Sequence, residues 1–202
     1  MNSSTKFITR VGIFGAVSAL VYFIFNRMNL SLTFIGLPNF LSLHFSDVPA
    51  LIASFAYGPL TGTLVQIIKV IIRTLFTGTN TGFIGEIADM IYGIAFVLPA
   101  SIIYMKNRTF KGALNGMILT LIIHLIVTSV VNYYVIIPMY VRLYNLPIKV
   151  TWEFIFTMIL PFNLIKNVLD LIITLLIYKR IHNLIKRASY QKNNNNILRN
   201  GH

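Results

Sequence analysis

The chain has no cysteine and little charge. Without Cys there is no disulfide framework and no thiolate metal site. Charged residues make up 11% of the sequence, against about 25% in a soluble domain. Acids are the scarcest charge: five Asp and Glu stand against seventeen Lys and Arg, giving a net charge of +12. Several chemistries are also absent. No G-x-x-x-x-G-K-[ST] is present, so the chain does not hydrolyse nucleotide by itself. H-E-x-x-H and G-x-S-x-G are missing. Gly78, Gly82 and Gly85 do not form a dinucleotide fingerprint, and His44, His124, His182 and His202 are too scattered for a metal centre. No catalytic residue, metal or cofactor is expected, and the protein is not expected to be an enzyme.

What is present is apolar. Hydrophobic residues are 56% of 202, with fifteen Phe and ten Tyr. The fold class this implies is an all-α integral membrane protein of several helices, one domain in length. The basic residues sit mostly between and after apolar runs. That favours the positive-inside pattern of a membrane protein over nucleic-acid binding.

The runs predict six helices. Helix 1 covers Val11 to Phe25 after Lys6 and Arg10, with no small-x-small cleavage site following. Leu30 to Ser46 is apolar but broken by Gly36, Pro38 and Asn39, as in a loop or re-entrant segment. Asp47 resembles an N-cap with Pro49 in the first turn, opening a short helix 2 from Val48 to Tyr57. Ten residues rise only about 15 Å, so this helix needs protein around it. Helix 3 runs from Leu60 to Phe76, helix 4 from Ile84 to Tyr104, and helix 5 from Ala113 to Ile137, stopped by Pro138. Helix 6 runs from Trp152 to Ile185, with a kink expected at Pro161. The single membrane domain spans 1–190, and the Asn-rich 191–202 is expected to be a disordered cytoplasmic tail. Eleven of the seventeen Lys and Arg lie at the termini or in the turn between helices 4 and 5. This distribution places both termini in the cytoplasm.

Ionisable side chains inside spans are costly, and each is a functional candidate. Helix 6 carries Asn163, Lys166, Asn167 and Asp170 at i, i+3, i+4 and i+7, one narrow stripe. The stripe is either a Lys166–Asp170 pair with interhelical amide contacts or a surface for a polar ligand. Helix 5 carries Thr120, His124, Thr128 and Asn132, with Asn132 near the outer end. His124 is more in keeping with a hydrogen-bonded interior residue than with a ligand. Lys69 and Arg73 on helix 3 should pair with Glu86 and Asp89 on helix 4. On helix 1, Gly12/Ala16 and Gly15/Ala19 form two small-xxx-small pairs, suited to internal packing or to an external partner helix.

Three motifs carry a family resemblance: Phe45-Ser-Asp-Val-Pro-Ala-Leu-Ile-Ala-Ser-Phe-Ala-Tyr-Gly-Pro59, Thr77-Gly-Thr-Asn-Thr-Gly-Phe-Ile-Gly-Glu-Ile-Ala-Asp89 and Pro161-Phe-Asn-Leu-Ile-Lys166. In this order they resemble the riboflavin-specific substrate-binding (S) subunits of energy-coupling factor (ECF) transporters. The resemblance implies a high-affinity vitamin site near the outer face of a bacterial cell membrane. It also implies a separate coupling subunit and two cytoplasmic ATPases. It assigns Gly12, Gly15, Ala16 and Ala19 to the coupling subunit. It places the loop Pro38 to Ser46, with Leu41 and Ser42, over the ligand, and maps ligand contacts onto Asn132, Asn163 and Lys166. It also implies Asn where this chain has Asp89.

The chemistry of the residues is compatible with a flavin. An Asn amide offers both a donor and an acceptor, matching the alternating pyrimidine edge, and Lys166 can donate to a carbonyl. Thr79 and Thr81 are candidates for the ribityl hydroxyls, with Phe, Leu and Ile walling the rings. The alternatives are another vitamin or a nucleobase-like substrate in the same architecture, and an intramembrane enzyme. Such an enzyme would have only Glu86, Asp89 and His124, without a nucleophile. A self-sufficient secondary carrier would show inverted repeats, which the sequence lacks.

Overall fold

The computed structural model describes residues 3–28, 43–79, 81–145 and 149–200, with residues 3 and 181–200 described by their backbone alone. Helix α1 is Ser3–Met28, α2 is Asp47–Tyr57, α3 is Pro59–Thr77 and α4 is Ile84–Lys106. Helix α5 runs without a break over Phe110–Tyr144. Helix α6 comprises Trp152–Phe154, Ile155–Ile159 and Leu160–Asn200 in continuous succession. Five of the six helices are long and apolar enough to cross a membrane, and α2 is a shorter apolar helix. The six expected helices are thus all present. The backbone of α6 continues through the Asn-rich segment that the sequence suggests is disordered.

Exposure is inverted relative to a soluble protein. Leu75, Phe76, Ile126 and Leu176 face outward, whereas Gln66, Lys69, Asn167 and Asp170 have none of their surface exposed. This is the arrangement lipid requires, since polar groups must find partners within the bundle.

Helix α2 is buried almost all round, from Asp47 to Phe55. Eleven residues rise about 16 Å, and the helix stays inside because α1, α3, α4 and α6 enclose it. Gly58, at φ 103°, makes the turn into α3, and its N–H donates to the Ser54 carbonyl. Ser101 of α4 donates to that same carbonyl at 3.0 Å. Close approach to α3 depends on Gly62: a methyl there would lie 2.4 Å from Ser54 Cβ and 2.5 Å from Val97 Cγ1.

Proline does not stop α5. A π turn, Asn132–Ile136, precedes Pro138, and the helix resumes over Ile137–Tyr144. Likewise, the π turn Ile155–Ile159 precedes Pro161 in α6. A proline ring collides with the carbonyl one turn back and supplies no N–H. A wider turn at that point accommodates both defects and lets the helix continue.

The α1 face also differs from expectation. Gly15 and Ala19 are buried within this chain: a methyl on Gly15 would lie 2.5 Å from Ile68 Cγ2 of α3, and Ala19 is 1% exposed. This is the internal-packing reading of the Gly15/Ala19 pair. Gly12 and Ala16 lie on the neighbouring exposed face, and Gly12 has open space around it.

Gly62 should therefore be intolerant of size. Gly62→Leu is expected to abolish the monodisperse peak in fluorescence-detected size-exclusion chromatography. Gly62→Ala should cost about 1–3 kcal/mol and lower the unfolding midpoint, while Gly12→Ala leaves it unchanged.

Candidate ligand-binding site

Four of the five acids in the chain and three of its bases form one buried, alternating series. Asp47 receives two of its three cations. It is the first residue of α2, and the N-cap is Ser46, which makes no side-chain capping bond. Asp47 is thus not the cap that its sequence position suggests. Its Oδ1 accepts from Lys69 Nζ at 2.8 Å and from Gln66 Nε2 at 3.0 Å, both from α3. Its Oδ2 accepts from Lys166 Nζ of α6 at 2.5 Å. The aligned amides of the α2 N-terminus favour a negative charge here.

The series extends in both directions. Lys69 also donates to Asp89 Oδ1 at 3.1 Å, and Arg73 Nη1 donates to Asp89 Oδ2 at 3.1 Å. Arg73 Nη2 lies 3.7 Å from Glu86 Oε1. On the other side, Lys166 donates to Asp170 Oδ2 at 3.0 Å. The order is Asp170, Lys166, Asp47, Lys69, Asp89, Arg73, Glu86. The pairing expected between α3 and α4 is present, and Asp89 sits between two cations, where an Asn would leave both short of charge. Lys166 pairs with Asp170 as one reading of the helix 6 stripe expected, and also with Asp47, which sequence spacing did not reveal.

The stripe on α6 is buried throughout, but unevenly. Asn163 and Lys166 each keep 8% of their surface exposed, as does Asn132, while Asn167 and Asp170 keep none. Asn132 opens the α5 π turn, and its Nδ2 donates to the Thr128 carbonyl at 2.8 Å. Asn163 donates in the same way to the carbonyl of Ile159, the last residue of the α6 π turn, at 2.9 Å. Each amide engages one N–H within its own helix, leaving its oxygen and second N–H without a partner among the described residues. Tyr133 stacks on Trp152 at 4.2 Å and ties the two π-turn regions together. Asn167, by contrast, donates to His124 Nδ1 at 2.7 Å, so His124 joins α5 to α6 as an interior residue.

Thr79 and Thr81 are engaged elsewhere. Both hydroxyls donate to Glu86 Oε2, at 3.2 and 2.7 Å. Thr79 Oγ1 also accepts from the backbone N–H of Phe83, and Thr81 Oγ1 from that of Gly85. They close the loop at the Glu86 end of the series and are not brought to Asn163 and Lys166 by any described contact. Leu41 and Ser42 lie outside the described residues. The segment that follows them is held down: His44 Nδ1 meets Ser46 Oγ at 2.9 Å, and its ring meets Tyr22 of α1 edge-on at 5.1 Å. The Arg73 guanidinium lies over the other partner, Tyr22, at 4.7 Å. Among the described residues no group of three or more His, Asp or Glu is placed to hold a metal.

The described residues form a membrane bundle with a short enclosed second helix and half-engaged amides in its interior. The family model for the substrate-specific component of ECF transporters matches residues 6–178, and the chain belongs to that family. It is similar to the riboflavin transporter RibU of Staphylococcus aureus, at 36% identity over 156 residues, covering 75% of this chain and 80% of the relative. It is also similar to the riboflavin transporter FmnP of Bacillus subtilis, at 34% over 169 residues, covering 82% and 89%. A solved structure described as the S component of a bacterial ECF transporter superposes with a TM-score of 0.75 at 31% identity, covering 91% of this chain and 99% of that one.

Lys69 is enclosed by two acids and has no exposed surface. Lys69→Met removes one of the two cations from each carboxylate and should cost about 3–5 kcal/mol, seen as a lower thermal midpoint in detergent. Adding Asp89→Asn should recover part of that loss.

Proposed function

We propose that this chain is the riboflavin-binding subunit of an ECF importer, with both termini in the cytoplasm. The observation that carries the proposal is the trio Asn132, Asn163 and Lys166, interior amides and an ammonium of α5 and α6 that keep partial exposure and spare hydrogen-bonding groups. Two amides and an ammonium fit the carbonyl and N–H edge of a flavin. The names of the similar proteins from Staphylococcus aureus and Bacillus subtilis favour the same ligand. The loop carrying Leu41 and Ser42 would cover the site. The ribityl chain would meet Thr79 and Thr81 only by competing with Glu86 for their hydroxyls, so loop backbone groups are the better candidates for that end.

No residue here performs a chemical step. Energy for uptake would come from two cytoplasmic ATPases through a transmembrane coupling subunit. The surface proposed for that subunit is narrowed to Gly12 and Ala16, the exposed pair on α1. Small residues there let another helix backbone approach closely.

Two outcomes are expected. Riboflavin should quench on titration with one site per chain, and Asn163→Ala should weaken binding about tenfold or more, because desolvated ligand groups lose their partner at about 1–3 kcal/mol each. Titration without saturation at micromolar riboflavin overturns the ligand. Separately, Gly12→Leu with Ala16→Leu should reduce co-purification of the coupling subunit while riboflavin affinity stays at the wild-type value. Loss of binding with normal assembly would place that face inside the site.

A further inference from the structure

The buried series begins and ends on an acid. Asp47, Glu86, Asp89 and Asp170 outnumber Lys69, Arg73 and Lys166 by four to three. If all seven were ionised, one negative charge would remain uncompensated in a membrane interior, where the cost is severe.

No other side chain among the described residues supplies the missing formal positive charge. The other described Lys and Arg, from Lys6 to Arg180, are exposed. Segments 29–42 and 146–148 contain no ionisable residue. His44, in the segment before α2, is pushed down to about 4 by burial and by the Lys166 ammonium, so its ring is neutral at pH 7. His124 is buried, meets the Asn167 amide through Nδ1 and makes no ion pair among the described residues.

The four acids are not equivalent. Asp47 and Asp89 each receive donors on both oxygens, from two different cations. Glu86 receives two Thr hydroxyls on one oxygen and faces Arg73 with the other. Asp170 has no exposed surface, its Oδ1 has no partner, and its one cation, Lys166, is shared with Asp47. The charged groups linked to it are Lys166 of its own helix, Asp47 of α2 and, one link further, Lys69 of α3, and the titratable group on the α5 side is His124, which meets Asn167. Thr120 is one turn from His124, and Asp170 about one turn from Asn167, in the same direction along the bundle. The Thr120 hydroxyl, also unpartnered, therefore lies at the level of Asp170 across the α5–α6 interface.

We propose that Asp170 is a proton-binding site: it carries one proton at neutral pH, on Oδ1, and this proton balances the series. Asp47 is then the full countercharge of Lys166, and Asp170 acts as a neutral acceptor toward it through Oδ2.

Infrared spectroscopy of the ligand-free protein, purified in a detergent without ester groups, tests this directly. With only five Asp and Glu, the carboxylic-acid carbonyl region is nearly empty. At pH 7 the wild type should show one protonated-carboxyl band that shifts in heavy water. Asp170→Asn should remove the band entirely, and Glu153→Gln, at an exposed acid, should retain it. Should Asp170→Asn fail to fold, Asp170→Glu keeps the carboxyl and should move the band to the frequency of a protonated Glu. No band in the wild type, or a band unaffected by Asp170→Glu and Asp170→Asn, overturns the proposal. So does a band that appears only when sodium and potassium are replaced by choline, because a bound cation would then be the balancing charge.

Discussion

The constraint on which this fold turns is the position of Asp47. A single carboxylate at the start of a short helix receives one lysine from α3 and another from α6. Neither lysine can reach it unless α2 lies deep in the bundle, and α2 cannot lie deep unless four helices surround it. Removing so many ionisable groups from water is expensive, and alternation of sign makes the arrangement tolerable. Apolar side chains of equal volume can pack as well, so the value of the series lies in register. Sliding α3 against α4 by one turn would set Lys69 and Arg73 against different partners and leave carboxylates bare. In lipid, where apolar side chains gain little by meeting one another, such pairing defines which helix faces which.

A second pattern lies in the two helices that carry the proposed ligand residues. Each has a proline two residues beyond a π turn, and each has an asparagine whose amide donates to a carbonyl four residues back, before the turn in α5 and at its last residue in α6. A π turn leaves carbonyls imperfectly engaged, and a nearby Asn amide can satisfy one of them. The same bond fixes the amide plane and presents its oxygen and remaining N–H in a set direction. The proline, the wide turn and the oriented amide thus occur together in both helices, with the asparagine opening the turn in α5 and following it in α6.

Much of this was legible in the sequence, for reasons that can be named. The spans followed from apolar length and the lipid requirement. Helix α2 was recognisably too short to cross alone. Lys69 and Arg73 against Glu86 and Asp89 followed from matching depth on consecutive antiparallel helices, and the α6 stripe from 3.6-residue periodicity. Other features depend on neighbours that spacing does not reveal. Asp47 resembled a cap because a cap is a local feature, whereas its partners lie 22 and 119 residues away. The clue was that an acid opens an otherwise apolar helix. Pro138 resembled a stop because a π turn has no sequence signature. Gly12/Ala16 and Gly15/Ala19 are equivalent as motifs but lie on adjacent faces of α1, and only packing against Ile68 separates the inward pair from the outward one. Thr79 and Thr81 are polar residues near the outer loop, yet Glu86 claims both hydroxyls.

Lys166 belongs to the charge series and to the proposed site at once, and this shapes what the site can accept. An ammonium has three N–H donors, of which Asp47 and Asp170 take two. The third can go to a ligand carbonyl without altering any charge in the series. An uncharged, hydrogen-bonding ligand therefore completes the ammonium's coordination, while an anionic group at the same point would draw Lys166 from Asp47 and loosen α6 from α2. The lysine that would recognise the ligand is also the one that holds α6 to α2, so occupancy of the site and the seating of these two helices are physically linked.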